Sequence, residues 1–494
     1  MATIYASVTG GTVIHEGQEL RTFKLQTAIN RLIPGDVLEV LPGRYVHPVR
    51  ISQGGRPGAP IIIRGNIDGG TIFDGEQERE SANDDFDPTD DGFSFIKIID
   101  ADWVDVNQIS FKHCWPSSIF IRGAKHIQIT DCRIEGGRFA IYARNRRLLR
   151  KSRHIALRRL KWVQDVDHDM WDGRTTWMDV KQQKPTQNDA RYFNGALFGS
   201  YDIKGPVTIE GCDVSHAFNG IRIDAKSSDL SRGRNSDIHI IGNRFSFIRD
   251  NAVEPEKIAE RLYVLNNAFF NVHATFSFDG VAGKHWYYIG NRLLNVQRPG
   301  ISGQPNQGGK IFKFHSSSPY PVEGFYALFN SIQTRTEYIK SGQTRSLVHA
   351  NNAIGICRYG QYCDQNRKLF GDDFKWNTTL TFFGDLCDHP DFPGALNHQG
   401  YKVAGIHTPD GVFDLPATGP DGSWDGQLGL KHGSPGQNAS KELSVRLPND
   451  VEILIDSGFD MGAPAPPELL TALIPEPGKG TVRAIWLEPA NSAG

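Results

Sequence analysis

Apolar and polar residues alternate in short blocks along the middle of the chain, and five six-residue blocks close on asparagine. They are Ile238–Asn243 (IHIIGN), Leu262–Asn267 (LYVLNN), Trp286–Asn291 (WYYIGN), Phe325–Asn330 (FYALFN) and Leu347–Asn352 (LVHANN). Period-two alternation predicts strands. A closing Asn predicts a tight turn, because its side chain bonds nearby backbone and tolerates left-handed angles. The closest blocks stand 24 residues apart (243, 267, 291) or 22 apart (330, 352), the length of one coil in a repeat solenoid. Stacked coils would set these Asn residues above one another as a ladder.

A second strand follows in each coil, with two inward apolar residues around one outward residue. It reads as Ser118–Arg122 (SIFIR), Ala140–Arg144 (AIYAR), Gly220–Asp224 (GIRID) and Ile311–His315 (IFKFH), with Asn251–Glu254 and Thr275–Asp279 between the last two. Cys132 and Cys212 stand at the Asn position of their own blocks and read as buried turn residues. Residues 22 to 33 read as an amphipathic helix, with Leu25, Ala28, Ile29 and Leu32 on one face. Pro34-Gly35 stops it, and a strand is predicted over Val37–Leu41. Such a helix would cover the open end of a solenoid.

The architecture expected from this pattern is all-β: a right-handed parallel β-helix of about ten coils. It would span 37–385, behind an N-terminal cap over 1–36. Insertions at 163–192 and 295–310 break the rhythm and are expected to wall a groove. Beyond about residue 385 the text turns Pro-, Gly- and Asp-rich, so 386–494 reads as a C-terminal cap and tail.

Three segments carry a family likeness. LQTAINRLIPGDVLEVLPGRY (Leu25–Tyr45) resembles the entry segment of the pectate-lyase-like β-helix superfamily, and GLKHGSPGQNAS resembles its closing turn. RDNAVEPEK (Arg249–Lys257) resembles an acidic turn common in carbohydrate-active β-helix proteins, with Asn251 where a second Asp would stand. The resemblance implies a polysaccharide held along an elongated groove on one face.

Charge and composition narrow the partners. Lys and Arg total 54 against 56 Asp and Glu, a net charge of −2, which argues against nucleic acid as the main partner. No run of 18 apolar residues predicts a membrane span. Met1–Gly10 has neither the basic stretch nor the apolar core of a secretory signal, which leaves localisation open. The six Cys show neither paired metal spacing nor a disulfide framework.

The candidate chemistry lies on the outward side of the second strand. Its outward positions read as Phe120, Tyr142, Leu197, Arg222, Val253, Ser277 and Lys313. Arg122, Arg144, Gly199, Asp224, Glu254 to Glu256, Asp279 and His315 follow in the next turn. Coils about 4.8 Å apart would align Asp224, Glu254, Glu256 and Asp279 as an acidic row, with Lys313 and His315 one coil further. Stacked carboxylates repel unless a cation, a shared proton or a basic neighbour compensates.

Three functions fit such a row. In a polysaccharide lyase acting on a uronate-containing glycan, Ca²⁺ on Asp224, Glu254, Glu256 and Asp279 would neutralise the uronate. Lys313, or else His315, would take the C5 proton, and Arg222 would face the carboxylate. In a glycoside hydrolase, Glu254 would pair with Asp279 or Asp224 as acid and nucleophile or base. In a non-catalytic glycan-binding solenoid the row would only hold sugar. A solvated face paired with Arg222, Arg249 and Lys257 is the structural alternative. Substrate contacts are expected from Tyr142, Arg144, Trp171, Trp177, Tyr192 and Lys257, since Trp and Tyr cover the apolar faces of sugar rings. The aromatic residues could equally pack the insertion onto the helix.

Overall fold

The computed structural model describes residues 2–68, 70–83, 88–145, 150–224, 235–256, 258–278, 282–296, 310–314, 323–334, 337–340, 346–356, 379–389 and 403–414. Beyond these it describes residue 416, 424–446, 452–455, 457–458, 460–462 and 473. The chain winds into a parallel β-helix with three strands per coil, one more than the repeats suggested. The first sheet starts at Val37–Val40 and Ile61–Arg64 and continues, parallel throughout, to Thr379–Cys387. The second is built from short strands such as Ser110–Lys112 and Arg133–Glu135. The third contains Ser117–Arg122, Phe139–Arg144, Phe198–Tyr201, Ile221–Asp224 and the end of Arg244–Pro255. The block ISFKHC (109–114) therefore belongs to the second sheet: Ser110 pairs with Arg133, not with the first-sheet strand Lys125–Thr130.

Inward Ile, Val, Leu and Phe residues from all three sheets form one continuous core along the axis. The Asn ladder runs inside it. The Oδ1 atom of Asn267 accepts from the backbone N–H of Asn243 at 2.9 Å and from its Nδ2 at 3.0 Å, and Asn291, Asn330 and Asn352 repeat the pattern. Each Nδ2 also donates to a backbone carbonyl, as Asn243 does to Ile209, so the buried amides are satisfied coil by coil. Cys212 starts the stack with its N–H on Asn243 Oδ1, and Asp385 ends it by accepting from Asn352. The left-handed residue is the one before the ladder: Gly242, Asn266, Gly290, Phe329 and Asn351 all have φ between 54° and 66°. That explains the GN and NN pairs, since Gly and Asn adopt αL most readily.

At the N-terminus, α1 (Leu25–Ile29) covers the core as expected. Thr3–Ala6 adds one strand beneath the first coil, and Gly11–His15 and Gln18–Phe23 form an antiparallel hairpin beside it. The described C-terminal residues lie back along the outside of the solenoid. Leu443, Val445 and Ile455 cover a stack of Tyr263, Tyr287 and Tyr326, while Trp424, Leu428 and Met461 cover Phe270, Leu294 and Leu386. These outward apolar side chains explain why the later coils need a cover.

Candidate functional site

Register decides which side chains share a wall, because a one-residue slip sends every side chain to the other face. In the third sheet Ile221 pairs with Val253, and Val253 with Phe276, so all three point inward. Arg222 then stands opposite Glu254. The outward row is Arg50, Lys97, Phe120, Tyr142, Gly199, Arg222, Glu254, Ser277 and Lys313. This corrects the sequence alignment at two coils: Gly199 replaces Leu197, and Glu254 replaces Val253. A register irregularity between Ile248 and Asn251 produces the second shift. Two residues further on lies a parallel row of Arg122, Arg144, Tyr201, Asp224 and Glu256.

Around Glu254 these rows meet the first insertion. Within it Thr176 caps α2 (Trp177–Lys181) through a reciprocal bond with Asp179, a capping box. The helix carries Lys181 onto Asp250, with Nζ 3.0 Å from Oδ2. Arg222 lies between two carboxylates, its Nε 3.8 Å from Glu254 Oε2 and its Nη2 3.5 Å from Glu256 Oε1. Its Nη1 donates to Asn194 Oδ1 at 3.3 Å. Asn251 Nδ2 donates to Glu254 Oε1 at 2.9 Å. Glu254 Oε2 is buried and accepts no hydrogen bond among the described residues.

The two buried carboxyls of this cluster are driven in opposite directions. Burial raises Glu254, the charges of Glu256 and Asp250 raise it further, and Lys181 and Arg222 only partly oppose them; the result is about 8. Arg222 does not ionise it despite standing at ion-pair distance, because the guanidinium is shared with Glu256 and a third negative charge would add to two already present. Burial also works against ionised Asp250, but Lys181, Lys313, His273 and the Trp177 indole hold it at about 2. Burial would lower Lys181, yet Asp250 and Glu254 outweigh it and keep the ammonium above its ordinary value. At neutral pH the wall thus carries a carboxylic acid, Glu254, beside a carboxylate, Asp250.

Of the residues singled out in the sequence, the structure brings together Arg222, Glu254 and Glu256, with Asp224 next to Glu256 on the second row and Lys313 within the field of Asp250. Trp177 bonds Asp250 and faces Lys181, whose Nζ is 5.7 Å from its ring centroid. Trp171 is buried edge-on against Phe247 and Tyr192 edge-on against Trp115, both away from this cluster. Tyr142 is buried against Phe139, and Arg144 donates to the Pro88 carbonyl. Lys257, Asp279 and His315 lie outside the described residues. Sequence reasoning missed Lys181, Asp250 and His273. Asp250 carried a signal in its acidic turn, whereas nothing local marks Lys181.

The calcium reading requires several carboxylates to converge. Among the described residues no three His, Cys, Asp or Glu side chains are grouped to hold a metal ion. Arg222 provides positive charge between Glu254 and Glu256. Asp279, the fourth residue of the expected set, lies outside the described residues, and no step below depends on calcium.

No known protein family matches the chain, and no curated protein matches its sequence. Solved structures resemble it in build. Pectate lyase Pel9A aligns with a TM-score of 0.46 at 11% identity, over 90% of this chain and 92% of that one. The GH136 lacto-N-biosidase from Eubacterium ramulus gives 0.41 at 12%, over 77% and 67%. PfbA, a surface adhesin of Streptococcus pneumoniae, gives 0.44 at 14%, over 92% and 99%. The likeness is one of build alone; the parallel β-helix is read from the chain's own strand pairing. A fold by itself does not choose among reactions. Among the described residues no helix is long and apolar enough to cross a membrane.

Proposed function

We propose that the protein is a carbohydrate-active enzyme that cleaves a uronate-containing polysaccharide by β-elimination along the outward row of the third sheet. The observation that carries this reading is the row itself. Arg222 and Glu254 stand side by side and Lys313 follows two coils on, about 9.6 Å along the axis, a gap that a long side chain and a sugar ring together can span. Elimination needs two things at C5: a base for its proton, and stabilisation of the charge that then spreads into the uronate carboxylate. In this reading Lys313, once its ammonium has given a proton to solvent, takes the C5 proton as the neutral amine. Arg222 and the protonated Glu254 are placed to bond the carboxylate oxygens as charge builds, a use of a neutral buried carboxyl as donor. The C5–H electrons form the C4=C5 double bond, the C4–O bond breaks, and the proton gained by Lys313 is available to the departing oxygen. No water enters the products.

One observation favours glycoside hydrolysis as a second reading: Glu254 at about 8 and Asp250 at about 2 are the split expected of an acid and a base or nucleophile. A panel of acidic and neutral polysaccharides separates the two. Elimination leaves a conjugated unsaturated uronate that absorbs in the ultraviolet, whereas hydrolysis yields reducing ends without that absorbance. Lys313→Ala is expected to lower product formation about 10²- to 10⁴-fold. Cleavage confined to neutral glycans would overturn the lyase reading, and binding with neither product would leave a glycan-binding solenoid.

A further inference from the structure

The outward row contains a contradiction towards its N-terminal end. Phe120 and Tyr142 point away from the core by register, yet they are 0% and 3% exposed. They are buried with Phe139 and Ala196 in a small apolar cluster with Tyr201 packed against it, Tyr142 on Phe139 at 4.6 Å between ring centroids. The cations flanking these rings are bound by the connection between Thr71–Asp74 and Ser94–Ile99. Lys97 Nζ donates to the Asp90 carbonyl at 2.6 Å, Arg144 Nη1 donates to the Pro88 carbonyl at 3.3 Å, and Arg122 pairs with the Asp90 carboxylate. Pro88 is itself buried. Upstream the same connection is fastened by Ala82, which sits in the apolar cluster with Trp115, Val180 and Tyr192.

This strap is rich in negative charge. Residues 84 to 91 read DDFDPTDD, five acidic residues in eight. The Pro88 and Asp90 carbonyls and the Asp90 carboxylate present to these cations the oxygens they would meet on an acidic polymer. Lys97, Arg122 and Arg144 come from three consecutive coils, the geometry for binding successive anionic units of a chain lying along the axis. Arg122 also bonds Asp100 at 3.2 Å from its other nitrogen, which fixes the guanidinium in place whether or not the strap is bound.

We propose that Lys97, Arg122 and Arg144 form an anionic subsite for uronate carboxylates, and that the Asp-rich strap at 88–92 occupies it as a built-in competitor. The inference rests on the acidic-glycan reading above, and it adds where the chain extends from the cleavage point and what must move first. The ion pair that has to be exchanged is partly exposed, so its removal is worth little in absolute terms.

Binding of polygalacturonate and of alginate, with dextran as the neutral control, tests it on the full chain. Asp90→Asn is expected to tighten acidic-glycan binding about two- to fivefold with the turnover rate at saturation unchanged. Arg122→Gln and Arg144→Gln are expected to weaken it, and none of the three variants should alter dextran binding. A second readout does not depend on a variant: saturating acidic glycan is expected to lower the strap's protection from proteolysis, and dextran to leave it unchanged. If acidic glycans are cut to unsaturated products while Asp90→Asn binds them no more tightly and the strap's protection does not change, the strap proposal fails and the lyase reading stands. If neither wild type nor Asp90→Asn binds any acidic glycan, both fail.

Discussion

The inner Asn ladder and the outer row of the third sheet are both stacks of one position carried through successive coils, and they handle polarity in opposite ways. The ladder repeats a single neutral group. Each amide donates and accepts, so each copy satisfies the next, and the stack can lie fully buried. The outer row cannot repeat a charge in that manner. It mixes signs, placing Arg222 beside Glu254 and Lys313 two coils on, and it leaves Glu254 protonated where the mixture is still too negative. Repetition stabilises where groups are self-complementary; where they are not, the remaining imbalance becomes chemistry.

The contrast can be broken first on the inside. Asn291→Leu removes both the acceptor for Asn267 and the donor to the Val264 carbonyl, and it takes one of two donors from Asn330 Oδ1, leaving the backbone N–H. Orphaning those groups is expected to cost about 2–4 kcal/mol, read as a lower urea midpoint, while turnover per folded molecule stays near wild type. An unchanged midpoint would mean that the amides are bookends to the apolar core and not a structural ladder.

On the outside, Lys181→Met leaves the Asp250 carboxylate buried without its nearest cation. We expect a loss of about 1–3 kcal/mol, together with a rise in the Asp250 pKa seen by carboxyl-resolved titration. Stability lost without any movement of that titration would put Lys181 in loop packing alone.

The contrast can also be sharpened by pH, with no substitution in the wild type. Glu254 keeps its proton in the folded protein up to about 8, whereas the unfolded chain gives it up near the ordinary 4.5. Between those values the folded state binds more protons, so stability falls as pH rises, by up to about 1.4 kcal/mol per unit, and levels off above about 8. Glu254→Gln should flatten that slope. Asp250 acts with the opposite sign and at the acid end: its contribution is present above the ordinary carboxylate value and is lost as pH falls through about 2. Denaturant midpoints from pH 5 to 9 for the two proteins check the first of these; parallel curves would place the excess proton elsewhere.

Much of the architecture was legible because it repeats. Five Asn at coil spacing, the helix ahead of the first strand and the break at the first insertion all survive in the structure. The third strand of each coil was missed, since strands such as Ser110–Lys112 are too short to show alternation of their own. The site was read less fully. Arg222 and Lys313 were placed on one wall, but Glu254 was set a residue too far on, because the irregularity before Asn251 leaves no trace in the residue pattern. Trp171 and Trp177 looked alike as insertion aromatics; one is buried against Phe247, the other reaches Asp250.

What the chain determined by itself is the coil: periodic apolar positions and αL-tolerant residues before each Asn act over a few residues, so they can be read locally. What only the folded molecule decided is the composition of the wall. Lys181 meets Asp250 from 69 residues earlier in the chain, and Glu254 keeps its proton chiefly through burial. Those are properties of distance and dielectric in three dimensions, and no local pattern encodes them.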